Sequence, residues 1–185
     1  TFNLMAVDNL LKQISEIKVD LTEKKVLERL LDRFRWPIQY PWKQPTIEAI
    51  NPDGSKDQKF YDQDGYLNSE QCIQRYEEGY TLILSGIGGF CKDTWLIQKL
   101  LNHTYRTQIN CNFYFGNGLK STSFKKHSHD YAVLVKNIYG CSKWIINEKE
   151  ILLKNQGVLW FDKNISHEVI EISSAKLSMT CNIQS

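Results

Sequence analysis

From Gln108 to its end, the chain repeats one pattern: short runs rich in Val, Ile, Leu, Tyr and Phe, cut at close intervals by turn residues. Such spacing predicts strands over 110–115, 129–139, 143–147, 150–153, 158–161, 167–172 and 176–183. Strands so short and so evenly spaced fold as a small antiparallel barrel or sandwich.

The first half carries a different period. Leu4, Leu10, Leu11, Ile14 and Ile17 fall at mostly helical intervals over residues 2–17. Asp20-Leu21-Thr22-Glu23 resembles a capping box with Asp20 as the cap. It opens a second predicted helix, striped by Val26, Leu27, Leu30, Leu31 and Phe34 and ended by Pro37. Residues 36–67 read as loop, with Trp36, Tyr40, Trp42, Pro45 and two Asp-Gly turns. A short strand is predicted at 46–50. Asn68 is positioned to cap a helix through Glu78, Gly79 to end it, and residues 81–84 to form a buried strand. Gly86-Ile87-Gly88-Gly89 fits neither dinucleotide-binding nor Walker spacing and reads as a loop. Asp93 is the predicted cap of a helix to about Asn102. His103, near its C-terminal end, suits a structural role.

The expected organisation is one domain over 1–185, with helices and an aromatic loop region at 1–67 and the barrel core at 68–185. A hydrophobic content of 42% in 185 residues supports a single substantial core. The net charge of +2 is spread along the chain and speaks against a nucleic-acid partner. Cys72, Cys91, Cys111, Cys141 and Cys181 show no zinc spacing and read as reduced thiols of a cytoplasmic protein. No apolar run reaches membrane-spanning length, and the first residues lack the look of a signal peptide, so no membrane association is expected. The two amphipathic helices pack on the chain's own core or form a homodimer seam.

The chemistry concentrates in His127-Ser128-His129-Asp130. Side chains two apart on a strand share a face, so His127 and His129 are expected side by side. His167, at the head of a later strand, supplies a third imidazole. Imidazole is a common ligand of Zn, Fe, Cu and Ni, and the three are expected to converge on one metal.

At these residues the sequence resembles the cupin-type JmjC proteins, especially the branch containing the ribosomal oxygenases. The resemblance runs through Tyr76-Glu77-Glu78-Gly79-Tyr80-Thr81-Leu82-Ile83-Leu84, Asn112-Phe113-Tyr114, His127-x-His129, Val133-Leu134-Val135, Gly140, Trp144 and Gly157-Val158-Leu159-Trp160-Phe161 with His167. It implies an α+β, mainly β fold: a double-stranded β-helix with N-terminal helices. It further implies an Fe(II) centre, 2-oxoglutarate as cosubstrate, and hydroxylation of a peptide or protein side chain. His127 and His167 match the family's two His positions. His129 stands where the family has Asp, so the third ligand is either His129 or, if a bulge turns it inward, Asp130. Tyr114 matches a residue that binds the cosubstrate carboxylate. Ser142 stands where a Lys or Arg is common, and Lys143 is one residue late. Lys176 and Ser178 share a strand face and resemble an Arg-x-Ser cosubstrate anchor. Asn112 shares a face with Tyr114 and is expected to point into the barrel. Two other readings compete: a three-His cupin dioxygenase acting on a small molecule without 2-oxoglutarate, and a non-catalytic cupin binding module.

Overall fold

The computed structural model describes residues 4–32, 35–41, 43–120, 123–172 and 174–184. The predicted helix start at residue 2, and the readings of Phe34 and Trp42, lie outside the described residues. Helix α1 is Leu4–Glu16 and α2 is Glu23–Leu30, followed by strands β1 (Ile47–Ile50) and β2 (Lys56–Asp57). Helix α3 (Ser69–Glu77), strand β3 (Thr81–Ser85), a 3-10 turn at Ile87–Gly89 and helix α4 (Lys92–Tyr105) follow. The remaining strands are β4 (Asn110–Gly116), β5 (Ala132–Tyr139), β6 (Ser142–Ile146), β7 (Lys149–Leu153), β8 (Val158–Phe161), β9 (His167–Ile172) and β10 (Lys176–Ile183).

Several boundaries differ from the sequence reading for local reasons. The cap of α2 is Thr22, whose side chain accepts from the Lys25 backbone N–H, while the Asp20 carboxylate holds the Lys25 ammonium at 3.2 Å. That helix ends at Leu30, well before Pro37. Helix α4 is capped at Cys91, where the Cys91 N–H donates to Thr94 Oγ1 at 3.1 Å. Asp93 instead accepts the Asp20 N–H at 3.1 Å and ties the start of α4 to the connection between α1 and α2. Asn68 does cap α3, accepting from Gln71 N–H. Gly79, at φ +100°, then turns the chain where an added Cβ would sit 2.8 Å from Leu119 Cβ.

The strands form two antiparallel sheets. The large one runs β2-β1-β3-β4-β10-β5-β8 and the small one β7-β6-β9. Their inner faces enclose a cavity to which both sheets contribute side chains. Together with the helices this is the expected double-stranded β-helix.

The large sheet follows from strict alternation along its strands. On β10, Leu177, Met179, Cys181 and Ile183 face outward and are fully buried. On β4, Cys111, Phe113 and Phe115 do the same, and Leu82 and Leu84 extend the layer on β3. The helices cover this face with Val26 and Leu30 of α2, Leu10 and Ile14 of α1, and Ile97 and Leu101 of α4. The apolar stripes of α1 and α2 are thus spent on the sheet. A second cluster, with Val133, Val135, Trp144, Ile146, Leu159 and Phe161, closes the barrel between the sheets. Gly140 makes the β5–β6 turn at φ +80°, where a Cβ would meet Ala175 O at 2.3 Å.

Candidate metal centre

His127 is not on a regular strand. It exchanges two backbone hydrogen bonds with His167, His127 N–H to His167 O at 3.1 Å and the reverse at 2.9 Å. Such a pair sets both side chains on one face. The chain then bends at Asp130 and Tyr131 and joins β5 only at Ala132, three residues later than His129. The reason is topological. At His127 the chain pairs with β9 of the small sheet, and at Ala132 with β10 of the large sheet, so 128–131 crosses between them. His129 lies on that crossing, where its carbonyl accepts the Asn164 N–H at 2.6 Å.

The three imidazoles nevertheless meet. One potential ligand atom from each of His127, His129 and His167 lies within 4.8 Å of the others. Ring centroids are 4.7 Å apart for His127–His129, 4.4 Å for His127–His167 and 5.1 Å for His129–His167. Two rings are oriented by carbonyls: His127 Nδ1 lies 2.6 Å from Lys125 O, and His167 Nδ1 lies 2.9 Å from Ile165 O. A carbonyl only accepts, so each Nδ1 carries its proton and each Nε2 lone pair is free. His129 is held by stacking on Tyr131, with centroids 4.6 Å apart and planes 8° from parallel. Phe161 packs on His167 at 4.2 Å. Burial, followed by the neighbouring His127 and His167, pushes His129 down to about 4. Burial also lowers His167. Near neutral pH these two rings are uncharged, the form that binds a metal. The donor set suits Fe, Zn, Cu or Ni. Asp130 is exposed and outside this group, with no bulge turning it inward.

The cavity beside the imidazoles has a volume of about 650 Å³. Its wall is the other half of the strand alternation: Lys176, Ser178, Thr180 and Asn182 on β10, Asn112 and Tyr114 on β4. Tyr114, Lys176, Ser178 and Asn112 therefore share one chamber with the three histidines. Ser178 is opposite Tyr114 across the β4–β10 ladder. Burial raises the Tyr114 hydroxyl well above the ordinary tyrosine value, so it stays protonated and can donate. Lys176 is 4% exposed, and among the described residues its ammonium has no hydrogen-bond or ion-pair partner. Burial lowers it to about 8, which leaves it mostly charged at neutral pH.

Ser142 does not line this cavity. Its hydroxyl is buried and accepts the Trp144 indole N–H at 2.9 Å, so the cosubstrate contact expected there is replaced by a structural bond. Lys143 faces away and pairs with Glu150 and Glu171 at 3.4 and 3.3 Å. Sequence reasoning missed three groups. Phe124 lies edge-on to both Tyr114 and His127 at 6.3 and 5.8 Å. Glu48 lines the cavity from β1. Lys136, fully buried within an apolar run, donates to Ile14 O, Ser15 O and Gln156 O at 3.2, 3.4 and 2.9 Å. The signal for Lys136 was a lone charge at a position where the strand's alternation required burial.

Fold and site define a cupin-like double-stranded β-helix, with three imidazoles that could hold a metal ion at its cavity. Among the solved structures that it resembles in fold is YcfD, a ribosomal oxygenase from Escherichia coli. In complex with cobalt and 2-oxoglutarate, YcfD matches with a TM-score of 0.59 and 13% identity, over 90% of this chain and 45% of that one. Its complex with cobalt and succinic acid gives 0.59 and 12% over the same shares. The chain therefore spans less than half of that oxygenase. A cupin superfamily protein from Desulfitobacterium hafniense matches with a TM-score of 0.38 and 10% identity, over 42% of this chain and 68% of that one. No protein-family model matches the sequence, and no curated protein matches it either. Among the described residues no helix is long and apolar enough to cross a membrane.

Proposed function

We propose that this chain is an Fe(II)- and 2-oxoglutarate-dependent oxygenase that hydroxylates a peptide or protein side chain. The observation that carries the reading is a buried, unpartnered Lys176 in the same cavity as three convergent imidazoles. An unpaired buried cation is costly and calls for an anionic ligand. Three neutral imidazoles likewise leave a bound divalent metal with its full charge. A linear dicarboxylate satisfies both demands at once.

In this reading His127 and His167, through Nε2, and His129 hold the iron. Lys176, with the hydroxyls of Ser178 and Tyr114, takes the distal carboxylate of 2-oxoglutarate, and Asn112 offers its amide to the same wall. Fe(II) bound there would supply activation of dioxygen, which is the oxidant: one oxygen atom would end in the hydroxylated side chain and the other in succinate, formed by oxidative decarboxylation of 2-oxoglutarate with release of carbon dioxide. The protein's own part is to orient these groups, keep the His129 and His167 rings neutral and limit water in the cavity. The fold shared with YcfD, which was solved with 2-oxoglutarate, supports the assignment.

The test is an anaerobic titration of the Fe(II)-loaded protein with 2-oxoglutarate, followed by visible absorption. A charge-transfer band is the expected outcome. Iron binding without the band would favour the second reading, a three-His dioxygenase that oxidises a small molecule directly. That reading draws on His129 standing where the resemblance has Asp. Absence of stoichiometric iron would overturn both and favour a binding module.

A further inference from the structure

Resting on the oxygenase reading, we infer that its substrate is an acidic peptide segment, received in a lysine-bordered groove at the cavity mouth. Beside the main cavity runs a groove of about 390 Å³ that shares Ser123, Phe124, Lys125, Glu168 and Val169 with it. The two are therefore continuous. A chain lying in the groove would lead toward the imidazoles, because Ser123–Lys125 lines both and the same segment continues through Lys126 to His127 in the cavity.

The charge around this passage is one-sided although the whole chain is nearly balanced, with 23 basic and 21 acidic residues. Lys120 and Lys125 line the groove, and Lys56, Lys125 and Lys126 line the cavity. Two of these lysines sit against aromatic rings, Lys56 over Phe124 at 5.9 Å and Lys120 over Tyr80 at 4.1 Å. The acids facing them are few. Glu48 is tied to Lys56 at 3.5 Å, and Asp53 near Lys125 already accepts from Ser55 N–H and Oγ at 2.9 and 2.6 Å. Glu168 is the remaining acid of the groove. A basic segment would be repelled along this path, and an acidic one steered into it.

The groove also favours a chain over a small dianion. Pro52, Val169 and Ile170 supply apolar surface between the lysines, with Ile170 43% exposed. Apolar surface beside cations in one groove suits a peptide that carries both Asp or Glu and apolar side chains.

The inference is tested by fluorescence anisotropy of a labelled Asp/Glu/Val peptide, first with the metal-free protein and then with Fe(II) and 2-oxoglutarate under anaerobic conditions. Comparison probes are a Lys/Val peptide of equal length, a short oligothymidylate and free citrate as competitor. The acidic peptide should bind about tenfold or more tightly than the basic one, weaken with added salt, and resist citrate. The triple variant Lys120→Glu, Lys125→Glu, Lys126→Glu should lose about tenfold or more in that affinity, with circular dichroism and thermal melting unchanged. Equal or tighter binding of the basic peptide, stronger binding of the oligonucleotide, displacement by citrate at peptide concentrations, or an unaffected triple variant would each overturn it. If acidic-peptide binding persists but the charge-transfer band is missing, the oxygenase reading fails and the groove stands. A band without acidic preference sinks the groove alone.

Discussion

The two sides of the large sheet each bury a lysine, and the sheet treats them in opposite ways. Lys136 projects to the helical side, where three carbonyls, two of them near the C-terminal end of α1, receive its ammonium. Lys176 projects into the cavity, where among the described residues it meets no acceptor. Burial lowers both to about 8. One charge is consumed in fastening a helix to the barrel, favoured there by the helix dipole. The other is held in reserve. The same division runs along β4 and β10: apolar side chains stabilise the outer layer, and polar ones on alternate positions serve the chamber.

The largest effect that would sharpen this contrast lies at the imidazoles. His127→Ala or His167→Ala should weaken iron binding by about 100-fold or more, with the far-ultraviolet circular dichroism unchanged. Asp130→Ala should leave iron stoichiometry intact. Loss of iron in that variant would return the carboxylate to the ligand set.

On the opposite side of the sheet, Phe113→Ala should cost about 3–5 kcal/mol in chemical denaturation, because the ring is wholly enclosed. Thr180→Val, on the cavity side of β10, should cost under about 1 kcal/mol. Equal losses would erase the proposed division of labour.

The two lysines should respond with opposite sign. Lys136→Met strands three carbonyls and should destabilise by about 2 kcal/mol. Lys176→Met should stabilise the metal-free protein by roughly 1–3 kcal/mol at neutral pH while weakening 2-oxoglutarate binding. The pH dependence follows from the lowered value of Lys176. Between about 8 and the ordinary 10.5 the folded state holds fewer protons on this group than the unfolded state, so its penalty fades as pH rises. The advantage of Lys176→Met should therefore shrink across that window, as read by urea denaturation at several pH values. A constant advantage would mean that the ammonium is not the source.

The smallest effect is expected at Ser142. Ser142→Ala should cost about 1 kcal/mol by orphaning the Trp144 indole N–H, and leave the 2-oxoglutarate titration unchanged.

Much of this arrangement was legible from residue order. Strands β8, β9 and β10 were readable to their ends because each is an apolar or alternating run bounded by polar turn segments. Lys176-x-Ser178 and Asn112-x-Tyr114 were legible as shared faces, since strand alternation needs no tertiary knowledge. What sequence could not convey was which alternate face is wet. Here the polar face lines the inside and the apolar face looks outward to helices. The predicted strand start at His129 was wrong because a crossing between sheets leaves no periodic mark. The caps at Thr22 and Cys91 were missed because Asp20 and Asp93, better cap formers by type, are engaged elsewhere. The indole partner of Ser142, two residues on, could not be read from its family position.

The crossing at 128–131 has a mechanical consequence. His167 belongs to the small sheet, His127 is bridged to it, and His129 already leads into the large one. Any divalent cation gathered by the three rings would rivet the two sheets together at their open end. Uptake would then act as a clamp on the whole barrel, and the ion's affinity would be felt as resistance to unfolding, by about 2.7 kcal/mol at a free concentration one hundred times Kd. The rim on which a substrate must settle would stiffen in the same event, so that loading the centre and shaping its doorway become one act.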